Sequence, residues 1–503
     1  MGGGAAGTSA RQVVADLGKV PMLIDEHHVL GGLFSGGLGI PDYVGVSANS
    51  DTLWGRGREL FKNTITKMKA DGYVEGTKPT GQTPETAGYG NQYGDLPERY
   101  TPSSAVYARN LAIGNARTLV DIEVVGITKD GGQGKVVTLS NGDTITCKQM
   151  ISASYSAELG MAAGVPYGIG RSESRFTYGE RQAGSMVTGG NLKADRIRNP
   201  KGDIWRGFQG YPHHLPGQAD EGIQGYDYRM TWCIDDPNGL PIQPPEGYRE
   251  EDFADYIQRA QAYSKYQNMI SGQFIGPKIL TTNGNDQYGL PRIYGRAKTK
   301  GERLKFKKDH YYAMCGQFYT AINSSKVPSA FRTDMQRVKL PWRDNVEEFA
   351  FQRGWSSMIY ARETLRMMAR RILLSSEMDI GYANVRNSVS RGGYHADSHL
   401  VNWSVNRGGG SRQDGDIDID KTYFGLPWEI FLPPAGIISN LVEVGNPAMT
   451  RTCFCSYRME TTMSGPAQAA AVACCLAIDA GIPVSLLPVS TLLAKLDQMG
   501  AKR

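Results

Sequence analysis

Apolar and polar positions repeat with different periods along the chain, and each period predicts an element. Residues 8–19 (TSARQVVADLGK) carry Ala, Val and Leu at helical spacing and end at Gly18, which predicts a helix. The short apolar run at 20–24 precedes acidic residues and predicts a parallel strand. A second helical pattern covers 51–75, and the Gly-, Pro-, Thr- and Tyr-rich stretch after it, 76–105, predicts a long ordered loop.

Strict alternation begins at residue 121. The stretch 121–154 (DIEVVGITKDGGQGKVVTLSNGDTITCKQMISAS) contains the turn signals "DGG" and "NG", which predict a β-meander over about 121–147. A returning strand is expected at 149–154.

The remainder of the chain is longer-looped and rich in aromatic residues. Helical patterns predict helices at 251–270 and 349–375, and the apolar run 438–445 predicts a strand. The Ala-rich stretch 465–480 contains one aspartate and is followed by prolines, so it predicts a buried helix rather than a membrane span.

Composition limits the classes of function. A chain of 503 residues is long enough for two or more domains. The net charge of +5 is spread without a basic run, so we expect neither a nucleic-acid nor a membrane partner. The seven cysteines lack the spacing of a zinc or iron–sulfur site, which predicts buried free thiols, no metal site and a reducing, cytoplasmic location.

Glycines at the start of the chain carry the first chemical signal. The pattern Gly2-x-Gly4-x-x-Gly7 precedes the predicted helix, and Asp25 follows Gly7 at nearly the spacing of a carboxylate that binds a ribose hydroxyl. Either this is a dinucleotide site, or it is a glycine-rich tail that happens to match. The fingerprint normally follows a buried strand and here only Met1 precedes it, so we expect the sheet to lack its first strand. A second glycine cluster at 30–39 favours FAD over NAD.

Six segments, in order, resemble the bacterial FAD-dependent oxidoreductases of the FAD_oxidored type. "LGGLFSGGLG" resembles the family's LGGMLTSGLG, and "ISASYSAELGMAAGVPYGIGRSESRFTYGE" is similar to its IDATYEGDLAAAAGVPYxxGREAxxxYGE. The later matches are "GIQGYDYRM", "GWSSMIYARETLRMM", "GGYHADSHLV" and "CSYRMETTMSGPAQAAAVACCLA". The chain departs from the pattern at Ser152, at 156–158 and at Arg451, so its contacts near the flavin differ from those of the family.

This resemblance implies an α/β fold, in which a Rossmann-like FAD-binding domain holds an inserted α+β substrate domain. We expect the FAD domain to comprise 1–165, with a loop-rich insertion at about 51–105 and the meander, and a closing part at 435–503. The substrate or cap domain is then 166–434. The residues expected to bind FAD are Gly2, Gly4, Ala5, Ala6, Gly7, Asp25, Glu26, Gly31, Gly32, Ser35, Gly36, Gly37, Ser154, Arg458 and Met459.

Few residues are candidates for chemistry. His395 and His399 flank Asp397 in "YHADSH", and they are either a general base and substrate clamp or a structural turn. A metal site is a lesser alternative. Arg362 and Arg366, one turn apart on the predicted helix, either bind substrate or form an internal ion-pair helix. His399, His395 and Arg362 are our catalytic candidates, with His399 first because the family motif shares it.

The sequence therefore predicts an FAD-dependent oxidoreductase. The expected reaction is dehydrogenation of a CH–OH group in a small hydroxylated or sugar-like metabolite, with electrons passed to an acceptor that the sequence does not identify. Two alternatives stay open: a flavoenzyme acting on a C–C or C–N bond, and a catalytically silent nucleotide-binding or assembly protein. A homo-oligomer is also left open.

Overall fold

The structure is a computed structural model. It describes residues 1–42, 52–73, 96–172, 187–189, 219, 221–270, 272–276, 278–282, 295, 297–369, 371–405, 411–415, 417–419 and 423–503. Of the loop predicted at 76–105, residues 76–95 lie outside the described residues.

Twelve α-helices lie in the described ranges. They are α1 (Ala5–Asp16), α2 (Gly32–Ser35), α3 (Gly55–Ala70), α4 (Pro102–Ile113), α5 (Glu158–Ala162), α6 (Ala254–Ala260), α7 (Lys300–Asn323), α8 (Ser329–Met335), α9 (Ser375–Met378), α10 (Arg451–Tyr457), α11 (Glu460–Ala480) and α12 (Val489–Gln498). Short 3₁₀ turns occupy Glu250–Phe253, Tyr266–Asn268, Tyr382–Asn384, Trp428–Phe431 and Val484–Leu486.

Strands are short throughout the described part of the chain. They are β1 (Met22–Ile24), β2 (Arg117–Leu119), β3 (Val124–Asp130), β4 (Gln133–Leu139), β5 (Thr144–Thr146), β6 (Met150–Ser152), β7 (Tyr167–Ile169), β8 (Val187–Gly189), β9 (Thr231–Ile234), β10 (Gly272–Gly276), β11 (Ile279–Thr282), β12 (Val338–Lys339), β13 (Leu365–Met367), β14 (Ser388–Gly392), β15 (Ala396–Ser398), β16 (Asn402–Val405), β17 (Ser411–Asp414), β18 (Ile417–Ile419), β19 (Phe424–Pro427) and β20 (Leu441–Glu443).

Two parallel strand pairs position the nucleotide-binding end. β1 pairs with β2 and β6 pairs with β20, both in parallel register. Gly2 donates its N–H to the Ile24 carbonyl (2.8 Å), and Ala153 donates its N–H to the Met1 carbonyl (2.8 Å). The start of the chain therefore connects the two pairs.

Several predicted elements are confirmed. The helix after the first glycines is α1, and Gly18 follows its end with φ +73°, a conformation that glycine adopts without steric cost. The meander is the antiparallel sheet β3–β4–β5, and the returning strand is β6. Helix α3, strand β20 and helix α11 also lie where the patterns place them.

Other predictions are wrong. Residues 349–375 do not form a long helix: they run through turns and extended chain, with strand β13 and the start of α9. The apolar spacing misled because a buried loop, like a helix, directs its apolar side chains into the core, here the one that contains Trp355 and Ile359. The predicted helix at 251–270 is limited to α6 between two 3₁₀ turns, and α4 begins at Pro102 inside the predicted loop.

The described residues form three buried apolar clusters. One packs α1, α11, β6, β20 and the meander, and it contains the Ala-rich face of α11. A second is rich in aromatic residues and its buried members lie between residues 169 and 361, with the rings of Trp232 and Phe318 tilted against each other (centroids 4.4 Å apart). A third surrounds Phe34, Phe61 and Tyr100. By length and composition α11 could cross a membrane, but 89% of its most apolar window is buried inside the protein.

Candidate functional site

The glycine-rich turn of 2–4 brings the N-terminus of α1 to the ends of β1 and β6. Gly2 has φ +99°, and a Cβ there would lie 2.4 Å from the Ala153 backbone. A Cβ at Gly7 would lie 1.7 Å from the Gly2 carbonyl oxygen. Both glycines are therefore required for close packing at the N-terminus of α1, a helix end of the kind that binds anions.

Asp25 lies where the spacing predicted. Its Oδ2 accepts from the Gly3 N–H (2.5 Å), and its Oδ1 accepts from the His27 N–H (2.8 Å). Burial opposes ionisation, but His27 and the two N–H groups lower the pKa of Asp25 below its ordinary value. A small cleft beside it is lined by 1–4, 25–27, 153–155 and Glu158, so an ionised acceptor lies beside the turn that opens α1.

Glu26 is engaged elsewhere. Arg303 donates to it from Nε (2.8 Å to Oε2) and from Nη2, and both side chains are almost fully buried. This pair binds α7 to the end of β1. Ser154 donates its hydroxyl to the buried carboxylate of Glu158, so its side chain is also used inside the protein.

The second glycine cluster packs on the first. Gly31 donates its N–H to the Gly3 carbonyl (2.7 Å), and Gly31 and Gly32 both have positive φ. Ser35 donates its hydroxyl to the Leu30 carbonyl (3.1 Å). Gly36 and Gly37 instead face the chain at 356–358, where a Cβ on either glycine would lie 2.4 Å from a side chain of that segment. The lack of a side chain at Gly36 and Gly37 thus allows their backbone to pack closely against segment 356–358.

Tyr155 and Glu460 form a hydrogen-bonded pair that the sequence pattern does not predict. The Tyr155 hydroxyl donates to Glu460 and accepts from the Leu33 N–H (2.9 Å). Glu460, the first residue of α11, accepts from the Ala5 N–H at the start of α1 (3.2 Å). Burial raises the pKa of Glu460 to about 7. The signal was available in the resembling segments, because Tyr155 and Glu460 belong to two of them, but periodicity could not show that they meet.

A polar cluster surrounds Tyr360. The guanidinium carbons of Arg362, Arg229 and Arg458 lie 4.6, 5.1 and 5.8 Å from its ring centroid. Arg458 also donates from Nη1 to the Tyr360 hydroxyl (2.8 Å) and from Nη2 to Asp397 Oδ2 (2.9 Å). Cation–π contacts of this kind stabilise buried guanidinium groups. Met459, between Arg458 and α11, is buried.

Strand β15 lies between the two candidate histidines. His395 directly precedes this strand and His399 directly follows it, on either side of Asp397. His399 Nε2 lies 3.7 Å from Asp397 Oδ2, and the His399 N–H donates to the Gln224 side chain (3.0 Å). His395 pairs instead with Asp418 on β18 (2.7 Å). Although burial opposes it, Arg458 and His399 lower the pKa of Asp397, so this carboxylate stays ionised.

Arg362 and Arg366 are not neighbours on a helix, which corrects the geometry predicted for them. Arg362 lies in extended chain, 3.5 Å from Asp227, and Arg366 is on β13. Glu363, buried between them, accepts from Arg451 Nε (3.1 Å) and from the Gln224 N–H (2.8 Å). The departure at Arg451 thus belongs to a buried ion-pair network.

Among the described residues, those at the glycine turn 2–4, the N-terminus of α1 and Asp25 fit FAD. The glycine turn and α1 N-terminus suit a diphosphate, and Asp25 suits a ribose hydroxyl. Among those residues, no group of three or more His, Cys, Asp and Glu side chains could hold a metal ion.

Comparison with known proteins gives one family. The family model described as "FAD dependent oxidoreductase" matches residues 1–496. No curated protein matches the chain.

Solved structures match at low identity. A geranylgeranyl bacteriochlorophyll reductase-like protein from Thermoplasma acidophilum is 13% identical, with TM-score 0.34, over 99% of this chain and 82% of that one. The Diels-Alderase PyrE3 is 14% identical over 56% and 44% of the two chains, with TM-score 0.25. The tetracycline destructase Tet(51) is 13% identical over 62% and 60%, with TM-score 0.25. The matches to the last two thus span less than two thirds of those proteins.

Proposed function

The chain belongs to the FAD-dependent oxidoreductase family, and on that premise we propose that it dehydrogenates a CH–OH group of a small hydroxylated or sugar-like metabolite. When bound, FAD supplies the hydride acceptor for such a reaction. The protein must then bind the substrate and accept the hydroxyl proton.

Residues at the start of the chain hold the cofactor in this proposal. The N–H groups at the N-terminus of α1 bind the diphosphate, and Asp25, whose lowered pKa keeps it ionised, accepts from a ribose hydroxyl. Gly2 and Gly7 keep the turn close to the helix. Gly31 and Gly32 extend the backbone surface from this turn towards α2.

His399 is the proposed base. The observation that carries the proposal is its position, because His399 Nε2 lies 3.7 Å from Oδ2 of the ionised Asp397. Arg458, two residues before α11 begins, donates to the same carboxylate oxygen. A carboxylate at that distance stabilises the imidazolium that forms when a hydroxyl proton is accepted. His399 is partly exposed (23%), so a substrate in solution has access to it.

Arg362 positions this region rather than holding the proton. It packs on Tyr360 (4.6 Å), and the hydroxyl of that tyrosine accepts from Arg458. The chain Arg362–Tyr360–Arg458–Asp397 therefore connects the buried interior to the proposed base. His395, paired with the exposed Asp418, lies at the other end of β15.

A substrate screen tests the proposal. The purified protein, reconstituted with FAD, is mixed anaerobically with panels of polyols and sugars, hydroxy acids, amines and saturated acyl compounds, and bleaching of the visible flavin absorbance is followed. We expect bleaching by a hydroxylated compound, with one carbonyl product per flavin reduced. Bleaching by amines alone would assign oxidation of a C–N bond, and bleaching by saturated acyl compounds alone would assign oxidation of a C–C bond. Failure to take up FAD would favour the alternative of a catalytically silent nucleotide-binding or assembly protein.

A further inference from the structure

His399, the base proposed above, lies in a short stretch of irregular backbone. Residues 399–401 follow β15, precede β16 and belong to neither strand. A base must lie within hydrogen-bond reach of the proton that it accepts, and a loop holds a side chain less exactly than a strand or helix does. The position of the imidazole therefore depends on what binds this stretch.

Gln224 contacts the stretch from the protein interior. Its side chain is fully buried, and its Oε1 accepts from the His399 N–H (3.0 Å). The next residue, Gly225, donates its N–H to the Leu400 carbonyl (2.8 Å). The backbone is thus bonded at residue 399 and again at residue 400, both times to the segment 224–225.

The amide of Gln224 is itself held in place. Its Nε2 donates to Cys455 Sγ on α10 (3.5 Å), and the backbone N–H of the same residue donates to Glu363 Oε1 (2.8 Å). The side-chain oxygen and nitrogen both have partners, so the amide keeps one orientation. Its acceptor oxygen therefore stays directed at the His399 N–H.

A second route ties the neighbouring residue to the same carboxylate. Arg451 donates from Nε to Glu363 Oε1 (3.1 Å) and from Nη2 to the Ser398 hydroxyl. Ser398 in turn donates to the Gly415 carbonyl (2.7 Å). Buried Glu363 therefore holds residue 398 through Arg451 and residue 399 through Gln224.

The backbone at residue 399 sets the distance between the imidazole and its carboxylate. His399 Nε2 lies 3.7 Å from Asp397 Oδ2, and Arg458 holds that oxygen in place (2.9 Å). A shift of the His399 backbone changes this distance and the direction in which the ring faces a substrate. Misplacement of a reacting group by about 1 Å can cost about 10²-fold in rate.

We propose that Gln224 is a positioning residue of this site, which fixes the backbone of His399 so that the imidazole stays beside Asp397 and in reach of the substrate. Gln224 touches neither substrate nor cofactor in this account, and it acts only through His399. The proposal rests on the proposed function, because it takes His399 as the base.

Amide exchange tests the contact without any substrate. In the unaltered, FAD-loaded chain the His399 N–H should exchange slowly although its residue is partly exposed, because Gln224 accepts from it. Gln224→Met, which keeps the volume but removes the acceptor, should speed that exchange by about tenfold, the factor given by one hydrogen bond of usual strength. Gln317→Met, the same change at a buried glutamine of α7, should leave it unaltered.

Stopped-flow reduction with the substrate found in the bleaching screen tests the role. Gln224→Met should lower the rate at saturating substrate by up to about 10²-fold and leave the half-saturating concentration nearly unchanged, because substrate binding does not need the base. In a His399→Ala background the same substitution should cause no further loss. Gln317→Met should keep the full rate.

Three results would overturn the proposal. Fast exchange of the His399 N–H in the unaltered chain would mean that the contact is not made in solution. A full rate in Gln224→Met would mean that the contact does not position the base, and an equal loss in both backgrounds would assign Gln224 a general structural role. An unchanged rate in His399→Ala alone would instead overturn the proposed base, and this proposal with it.

Discussion

At the scale of single residues, His399 is the position whose change best tests the chemistry. The variant His399→Ala should lower the rate of flavin reduction by about 10²–10⁴-fold, the usual contribution of a general base. FAD content and Tm should stay nearly unchanged, because the side chain is partly exposed and the N–H that donates to Gln224 belongs to the backbone, which the substitution keeps. Stopped-flow reduction beside a melting curve measures both.

His395→Ala is the matched control for that experiment. His395 lies at the other end of β15 and pairs with Asp418 at the surface. We expect a smaller rate effect from it. A His399→Ala protein that is unstable, yet fully active in its folded fraction, would assign the residue a structural role.

Glu460 gives a second residue-scale prediction, on pH. Its pKa is raised to about 7 by burial, so the carboxyl is neutral below that pH and charged above it. Because it accepts from the Ala5 N–H, its charge lies where a diphosphate binds the helix, and like charges repel. FAD should therefore bind more weakly as pH rises through about 7, by roughly tenfold, a repulsion of about 1.4 kcal/mol.

Titrating FAD by fluorescence from pH 6 to 8 measures this effect. Glu460→Gln should flatten the dependence and bind FAD tightly throughout, while Glu246→Gln, an exposed position, should behave as the unaltered protein. A pH dependence that persists in Glu460→Gln would show that another group is responsible.

At the scale of elements, the junction between the glycine turn and α1 requires that Gly7 carry no side chain. A Cβ at Gly7 would lie 1.7 Å from the Gly2 carbonyl, so Gly7→Ala must displace the turn. We expect it to lower the free energy of unfolding by about 1–3 kcal/mol, as overpacking does, and to reduce FAD affinity.

Gly301→Ala is the control at the same scale. Gly301 lies in the first turn of α7, where a Cβ would meet no atom closer than 3.9 Å. That substitution should raise the free energy of unfolding by up to about 1 kcal/mol through helix propensity. Urea unfolding of both variants checks the pair, and equal effects of the two would contradict the packing argument.

At the scale of the whole molecule, Glu363 connects distant parts of the chain. It accepts from Gln224, from Arg366 on β13 and from Arg451 at the start of α10, and it is buried. Glu363→Gln removes a charge that two buried guanidinium groups share. We expect it to lower the free energy of unfolding by about 3–5 kcal/mol, the cost of breaking a buried ion pair.

The exposed pair Arg337–Asp235 is the comparison. Asp235→Asn should change the free energy of unfolding by no more than about 1 kcal/mol, because solvent screens exposed ion pairs. Chemical denaturation of both variants measures the difference. A small effect of Glu363→Gln would mean that the ion-pair network adds little to the free energy of unfolding.

The sequence by itself determined the elements whose signals are local. The helix after the first glycines, the meander and the Ala-rich helix follow from periodicity, turn residues and composition, which act over a few neighbouring positions. The meeting of Asp25 with the glycine turn also followed from spacing, since a strand and a helix of usual length bring them together. FAD as cofactor came from the motifs, and the family match over 1–496 supports it.

Tertiary structure alone decided what depends on contacts between distant segments. Residues 349–375 satisfied a helical period but are held as loop and strand by an aromatic core. The ion pair of Glu26 with Arg303 and the hydrogen bond of Tyr155 to Glu460 join positions hundreds of residues apart. No local pattern encodes such meetings, because burial and charge pairing depend on which surfaces pack together once the chain has folded.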